Sequence, residues 1–324
     1  MQKKNTIIFR VDANSKIGFG HFERQFRLAT FFKKKGYKII FICTSIFGPQ
    51  KKKLKKNKIN LFNLNKKGGS RSDLVKTAEI IKKKVPLAVF LDGYHFNSLY
   101  QKNIYSKNYK LIVYDDFVHL KKYYCDFIIN QNIYASKKMY LGKAKKCNFL
   151  MGIKYFTFDK KKYVNRKINK KNIFICLGGT NTKKILGKII RYFTDLKHTK
   201  YKLFILNSFI KMKKQKGLVF IKKYNENISL LASKCYYAIT GSGNLALEMS
   251  LLKKRLLIFK LNESQKDNVS FFLKKKLAFY GGSKDKIIKR NFKNFLENKI
   301  TQKRIKMNIN GHSLILNNIR KNNK

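Results

Sequence analysis

The sequence predicts an α/β protein built from two successive Rossmann-like parallel-sheet domains facing a central cleft. Three observations predict it. The chain has 324 residues, more than one compact domain usually holds. Short apolar runs alternate with amphipathic segments almost from the first residue, as in β-α units laid on a parallel sheet. That alternation restarts after a polar stretch at residues 159–171 that is nearly free of core material.

Thr6 to Val11 reads as the first strand, and a helix from about His21 to Lys35 follows, with Phe22, Phe26 and Ala29 on one stripe and Gly36 as its stop. Lys38 to Cys43, Ile59 to Leu64, Leu87 to Leu91 and Leu111 to Tyr114 continue the first sheet, separated by helix-like stretches near 49–57, 71–84 and 96–106. The domains are therefore expected at 1–158 and 159–324. In the second, Asn172 to Leu177 is a strand ending in Gly178-Gly179-Thr180. Tyr201 to Leu206 and Leu218 to Ile221 follow, and Tyr236 to Thr240 runs into Gly241-Ser242-Gly243. Asn244 to Leu252 is helical, Arg255 to Phe259 is a strand, and a helix after Gln265 leads to Ala278 to Tyr280. The last forty or so residues read as basic helices, the final one a candidate to cross back to the first domain. Glycine-rich turns at the carboxyl ends of strands place ligands between the domains.

Composition bounds the function. Lys plus Arg number 75 against 16 Asp plus Glu, a formal net charge of +59. Lysine runs such as Lys51 to Lys53 and Lys274 to Lys276 are spread along the chain instead of being gathered on one face. No helix-turn-helix, zinc-finger or aromatic RNA-binding signature accompanies them, so the charge reads as codon bias and no specific nucleic-acid partner is expected. Cys43, Cys125, Cys147, Cys176 and Cys235 are scattered without a C-x-x-C pair, which fits reduced thiols in the cytoplasm. No apolar run reaches membrane-spanning length, no export signal is found, and a monomer is expected.

The most informative stretch is Arg10-Val-Asp-Ala-Asn-Ser-Lys-Ile-Gly-Phe-Gly-His-Phe-Glu-Arg24, which leaves a strand, turns through two glycines and opens a helix. Gly18 and Gly20 remove side chains where backbone and ligand must approach, and amides at a helix start favour an anion. His21 in that first turn carries the side chain best matched to proton transfer near neutral pH. The alternative is a histidine that merely satisfies a backbone group. The remaining histidines form no spaced metal set with Cys or carboxylates: His95 follows Tyr94, His119 follows an Asp-Asp turn, and His198 and His312 lie among lysines as solvated side chains. No metal and no cofactor is implied.

The stretch resembles the signature of the pseudaminic-acid UDP-sugar hydrolases, relatives of the GT-B glycosyltransferases, whose pattern runs R-x-D-x-S-x-x-I-G-x-G-H-x-x-R. Arg10, Asp12, Ile17, Gly18, Gly20, His21 and Arg24 match, while Asn14-Ser15 stands at the serine. The similarity extends through most of the chain. Leu91-Asp92-Gly93-Tyr94 is similar to the family's D-x-Y segment, Tyr114-Asp115-Asp116 to its F-D-D turn, and Cys125-Asp-Phe-Ile-Ile-Asn-Gln-Asn132 to its C-D-I-L-L-N-x-N motif. Cys176-Leu-Gly-Gly-Thr180 resembles the turn opening the second domain, with Asn181 replacing an acid, and Gln265 matches an N-Q pair whose Asn is Ser264 here. The segment Ile153 to Asp159 lacks the family's leucine-arginine step.

The resemblance implies a water molecule activated by His21 that attacks the anomeric carbon of a UDP-activated sugar, with inversion and departure of UDP. The implied substrate is UDP-2,4-diacetamido-2,4,6-trideoxy-β-L-altropyranose, an intermediate of a nonulosonic acid that decorates bacterial surfaces and flagella. Asp12 and Tyr94 would face the sugar or orient the histidine; singly, each also reads as an Asp capping a turn and a packed Tyr. Arg10, Gly18, Gly20 and Arg24 fall in the substrate-binding signature. Glu248 falls where the family grips the ribose, since a carboxylate accepts two hydrogen bonds from a vicinal diol. The diphosphate would meet Gly179, Thr180, Ser242 and Gly243, with Gln265 nearby. Two rivals remain: a GT-B glycosyltransferase moving the sugar to an acceptor, and a non-catalytic basic protein that binds nucleic acid or membrane.

Overall fold

In a computed structural model of the chain, the structure describes residues 5–14, 17–158, 163, 167–178, 182–195, 201–206, 218–221, 228–283, 286–297, 301–305 and 309–321. Two compact units result: Met1–Phe158 together with Asn308–Lys324, and Asp159–Met307.

The first unit carries strands β1 (Thr6–Val11), β2 (Lys38–Cys43), β3 (Asn60–Asn63), β4 (Ala88–Asp92), β5 (Lys110–Tyr114), β6 (Phe127–Asn130) and β7 (Asn148–Met151). They form one sheet in the order β3-β2-β1-β4-β5-β6-β7, with every pairing parallel. The order reverses between β1 and β4, the point at which loops leave the carboxyl edge in opposite directions and open a crevice. Helices α1 (Gly20–Lys34), α2 (Gly48–Lys56), α3 (Arg71–Lys84) and α4 (Ser98–Ile104) connect the first five strands.

Both sheet faces are buried, which is why the strands are apolar throughout instead of alternating with polar residues. On one face Phe41, Phe9 and Phe90 sit in register on β2, β1 and β4. Their rings stack with centroids 5.2 and 4.8 Å apart, and Phe22 and Phe32 of α1 close over them. Residues one step along each strand, among them Ile8, Ile40, Val89 and Leu91, point to the other face and pack with Ile81, Tyr100 and Ile104.

β6 and β7 are absent from the sequence reading. Each is only four residues long, and neither is preceded by an α-helix, only a single 3-10 turn at Lys137–Tyr140 standing before β7, so the strand-helix alternation that marks the other units is missing there. The last helix, α10 (Gly311–Lys321), corrects the expected second domain, which ran to residue 324: it belongs to the first unit. His312 on it lies against Phe31 at 5.3 Å and is not merely solvated, and Arg320 donates to the Tyr37 hydroxyl at 2.9 Å.

The second unit repeats the design. Strands β8 (Asn169–Cys176), β9 (Lys202–Leu206), β10 (Leu218–Ile221), β11 (Cys235–Gly241), β12 (Arg255–Lys260) and β13 (Phe279–Ser283) pair in parallel in the order β10-β9-β8-β11-β12-β13. The reversal falls between β8 and β11. Its helices are α5 (Lys183–Asp195), α6 (Ile228–Ser233), α7 (Asn244–Leu251), α8 (Lys266–Lys274) and α9 (Lys289–Glu297), and its core joins Ile173, Ile175, Ile239, Leu257 and Phe259 of the sheet to Ile185, Ile189 and Phe193 of α5 and to Phe292 and Phe295 of α9. Among the described residues no helix is long and apolar enough to cross a membrane.

Candidate functional site

The carboxyl edge of the first sheet gathers a cluster whose composition departs from the rest of the chain. Of 16 acidic residues in the protein, Asp12, Asp73, Asp92, Asp115 and Asp116 lie here, with His21, His95 and His119 out of five histidines. Val11, Asp92 and Tyr114 are paired in register on β1, β4 and β5, so the residues that end these strands emerge side by side at the reversal of strand order.

The loop from β1 to α1 is shaped by Asn14. Its side chain accepts from the Ile17 amide at 2.8 Å and donates to Ser45 Oγ at 2.8 Å, while its carbonyl accepts from the Gly18 amide at 2.7 Å. Asn14 therefore does the local turn-making open to a serine at this point. Gly18 has φ of 82°, a conformation that disfavours a side chain. Gly20 is exposed as the first residue of α1, and no atom lies within 4 Å of where its Cβ would be.

His21 is 9% exposed. Its Nδ1 lies 2.6 Å from Asp92 Oδ1 and 3.0 Å from Arg24 Nη2. Both Nδ1 and Nη2 converge on the same carboxylate oxygen, with Nη2 also at 2.6 Å. A carboxylate only accepts, so Nδ1 carries the proton and Nε2 is left with the lone pair. Asp92 is further held by Arg24 Nε at 2.7 Å and Gln25 Nε2 at 2.5 Å. Burial on its own would raise the Asp92 carboxyl, but Arg24 and then His21 outweigh it and hold it well below the usual carboxylate range.

Arg24 bridges Asp92 to Asp116, donating to Asp116 at 2.7 and 3.1 Å. Asp116 is also lowered, burial being overcome by the same guanidinium. Two carboxylates against one guanidinium leave a net negative charge beside the imidazole. The Tyr94 hydroxyl donates to Asp116 at 2.7 Å, and its ring meets His21 edge-on at 4.9 Å. Tyr94 is 38% exposed, yet desolvation around its hydroxyl and then the adjacent Asp116 charge still push the phenol above its ordinary range, so Tyr94 keeps its proton. Asn132 Nδ2 donates to the Asp116 carboxylate and carbonyl, and the Tyr134 hydroxyl donates to the same carbonyl at 2.5 Å. This gives the Asn130-Gln-Asn132 motif a physical task.

Arg10 and Asp12 form a second buried network. The Arg10 guanidinium has no solvent exposure and is gripped by Asp73 at 2.8 and 3.2 Å, with Asp12 Oδ1 at 3.0 Å. Asp12 Oδ1 also accepts from the amides of Thr44 at 2.6 Å and Ser45 at 3.1 Å. Asp12 Oδ2 faces His95 Nε2 at 2.9 Å. Burial raises the Asp12 carboxyl, yet His95 and then Arg10 bring it well below its ordinary value. Of the residues expected at the reaction centre, His21 and Tyr94 stand together, whereas Asp12 pairs with His95 and leaves the orientation of His21 to Asp92. Arg10 and Arg24, expected as substrate contacts, point inward onto carboxylates. A third couple joins His119 Nδ1 to Asp115 Oδ1 at 2.9 Å, and Tyr123 also donates to Asp115.

Asp92 and Asp116 lay in motifs visible in the sequence, yet their roles were not. Asp92 is 71 residues from His21, and only the parallel pairing of β1 with β4 brings them together.

In the second unit, the turn after β11 leads into α7 (Asn244–Leu251). Ser242 is fully buried and its hydroxyl donates to Gln265 Oε1 at 3.2 Å, which also accepts from the Leu261 amide at 3.1 Å. Gln265 Nε2 lies 3.8 Å from where a Cβ on Gly243 would sit, so the three expected residues Ser242, Gly243 and Gln265 are adjacent. Glu248, on α7, is 2% exposed and accepts from the Tyr163 hydroxyl. Ser264 is half-buried and donates to Asn262 at 2.7 Å. Gly179, Thr180, Asn181 and His198 lie outside the described residues. Among the described residues, no group of three or more His, Cys, Asp or Glu has the arrangement of a metal site.

No family model matches the chain. It is 26% identical over 282 residues, 83% of this chain and 96% of the other, to UDP-2,4-diacetamido-2,4,6-trideoxy-beta-L-altropyranose hydrolase of Campylobacter jejuni. Among solved structures it is similar to MurG of Acinetobacter baumannii, with a TM-score of 0.62 at 12% identity over 98% of this chain and 99% of that one. It is also similar to UDP-GlcNAc 2-epimerase of Methanocaldococcus jannaschii, with a TM-score of 0.61 at 11% identity over 98% and 99% of the two chains.

Proposed function

We propose that this chain, a GT-B-fold relative of the Campylobacter hydrolase, is an enzyme that hydrolyses a UDP-activated diacetamido-trideoxy sugar to UDP and free sugar in pseudaminic-acid biosynthesis. The observation that carries the reading is the His21–Asp92 couple, 2.6 Å long, at the reversal of strand order. His21 Nε2 takes a proton from water as that water attacks the anomeric carbon, and the C–O bond to the diphosphate breaks on the opposite face. The imidazolium so formed is balanced by the net negative charge of Asp92, Asp116 and Arg24, the task an aspartate performs behind a catalytic histidine elsewhere. Tyr94, whose single O–H is donated to Asp116, places its ring edge against His21 and leaves its oxygen as an acceptor. Gly18 and Gly20 let the backbone approach the substrate. Arg24 acts by fixing both carboxylates, and Arg10 by fixing Asp12.

On this reading Glu248 receives the ribose hydroxyls, and the amides around Ser242 and Gly243, with those of Gly179 and Thr180, receive the diphosphate. UDP needs no proton on departure, because a diphosphate is stable as an anion near neutral pH. The activity is expected without added metal, in the cytoplasm, where nucleotide sugars are made.

The test is UDP release from UDP-2,4-diacetamido-2,4,6-trideoxy-β-L-altropyranose by the wild type and by His21→Ala, with the sugar followed by NMR. Free sugar with inverted anomeric configuration from the wild type, lost in a folded His21→Ala protein, supports the reading. UDP binding without water-dependent release supports a glycosyltransferase, which acceptor screening then identifies.

A further inference from the structure

The β7 edge of the first sheet holds a pair of thiols that the proposed hydrolysis does not use. We infer that Cys125 and Cys147 are a redox-modification site, at which a hydroperoxide converts the two thiols to a reversible disulfide that staples β7 to β6.

Three observations carry it. First, the sulfurs are already in contact. Cys125 lies two residues before β6 and Cys147 immediately before β7, and their Sγ atoms are 3.7 Å apart although the residues are 22 apart in sequence. Backbone bonds hold the two approaches side by side: the Tyr123 amide donates to the Lys143 carbonyl at 2.8 Å, and the Asn148 amide to the Asp126 carbonyl at 2.8 Å. Lys146 has φ of 50°, so the chain kinks between these two bonds, directly before Cys147. A disulfide needs the sulfurs to close by about 1.7 Å, a movement of the size that side-chain rotation gives.

Second, the pair is asymmetric. Cys125 is 4% exposed. Burial first, and then its hydrogen bond with Cys147, hold the Cys125 thiol well above its ordinary value, so it keeps its proton. Cys147 is half-buried and lines an open cleft of about 500 Å³ with Tyr140, Gly142 and Phe149. A small oxidant therefore reaches Cys147 before Cys125. Third, the other thiols are placed differently: Cys43, Cys176 and Cys235 are buried on β2, β8 and β11, and oxidation follows access.

The Cys147 sulfur attacks the terminal oxygen of the hydroperoxide. The O–O bond breaks and the Cys147 proton goes to the departing oxygen, giving a sulfenic acid and an alcohol, or water from hydrogen peroxide. The Cys125 sulfur then attacks the sulfenic sulfur; the S–S bond forms, the S–O bond breaks, and the departing hydroxide takes the Cys125 proton and leaves as water. Two thiols lose two electrons to one O–O bond, and an external dithiol reverses the change. The place of the bond gives it an effect. β7 is four residues long and ends the sheet, with β6 as its neighbour. A cross-link at the start of both strands ties this edge and restricts the unfolded chain around a closed loop.

The experiment treats the full chain with a small molar excess of hydrogen peroxide, quenches, counts thiols in denaturant and maps linked peptides by mass spectrometry. The thiol count is expected to fall from five to three, with the Cys125 and Cys147 peptides joined, and to return to its starting value with dithiothreitol. The melting temperature is expected to rise by about 5 °C or more, with no rise in Cys147→Ser treated alike. Cys125→Ser is expected to keep a sulfenic acid at Cys147 that dimedone captures, and Cys147→Ser to leave Cys125 unlabelled. Survival of all thiols, a linkage through Cys43, Cys176 or Cys235, or dimedone labelling of Cys125 in Cys147→Ser would each overturn the inference. A Cys125–Cys147 disulfide with an unchanged melting temperature overturns the staple. The mapping uses the wild type, so a variant that fails to fold leaves the inference exposed to refutation.

Discussion

Asp92→Asn is the substitution that tests the catalytic account most directly. The change keeps side-chain volume and removes one negative charge 2.6 Å from His21 Nδ1. In the wild type, two carboxylates and one guanidinium leave the imidazolium balanced; in the variant, Asp116 and Arg24 cancel and the new positive charge is unpaired. With charge centres about 4 Å apart and an effective dielectric near 20, the lost attraction is about 4 kcal/mol. That corresponds to a fall in kcat on the order of 10³-fold, and on the order of 10²-fold if relaxation recovers a quarter of it. The amide also places an NH2 group against Arg24 or Gln25, both of which donate to Asp92 in the wild type. A stability loss of about 2–4 kcal/mol accompanies it. UDP release is to be measured well below the variant's melting temperature, with folding followed by circular dichroism. A folded Asp92→Asn enzyme with kcat within about threefold of wild type would refute Asp92 as the partner of His21.

Acid stability follows from the same charges. Asp12, Asp92 and Asp116 all have folded pKa values below the unfolded value of about 3.9. Their contribution is fully present above that value and is lost as pH falls through the lower folded values. Urea midpoints are therefore expected to be flat from about pH 5 to 7 and to drop below about pH 4, with a shallower acid limb in Asp92→Asn. Gly20→Ala separates packing from binding: nothing lies within 4 Å of the new Cβ, so the melting temperature should hold or rise by the helix preference of alanine, up to about 1 kcal/mol. KM for the nucleotide sugar should nevertheless rise, and an unchanged KM would remove Gly20 from the substrate path. Glu248→Gln keeps an acceptor for the Tyr163 hydroxyl but loses the charge that strengthens bonds to a diol. UDP affinity should fall about tenfold or more by calorimetry, with 2′-deoxy-UDP weakened less.

Strand-helix alternation was legible wherever a strand is flanked by helices, and the glycine turns after β1 and β11 were legible because turn chemistry is local. β6 and β7 were not, since their short apolar runs lack flanking α-helices. The position of α10 was open for a related reason: its apolar stripe says that it packs, and only the fold says on what. At the site, His21 was legible from its loop, whereas its partner was not. A dyad formed across 71 residues has no local signal. Arg10 shows the opposite failure, because a motif position looks the same whether its side chain meets substrate or, as here, Asp73 in the interior.

The charge of the chain and the chemistry of the site are reconciled by where the acids sit. Asp12, Asp73, Asp92 and Asp115 are each no more than 1% exposed. Arg10 closes Asp12 and Asp73, Arg24 closes Asp92 and Asp116, and His119 closes Asp115. Five of the protein's 16 carboxylates are thus closed at short range by cationic or imidazole groups, three of them lying directly against histidines. On the proposed reading, an approaching nucleotide diphosphate would meet the field of a chain with 75 Lys and Arg side chains, which attracts anions whatever its origin and is screened by salt. On the same reading the imidazole would meet the reacting water in a locally negative setting within a strongly positive protein. Binding an anion and stabilising an imidazolium make opposite electrostatic demands, and burying the aspartates beneath the loops satisfies both.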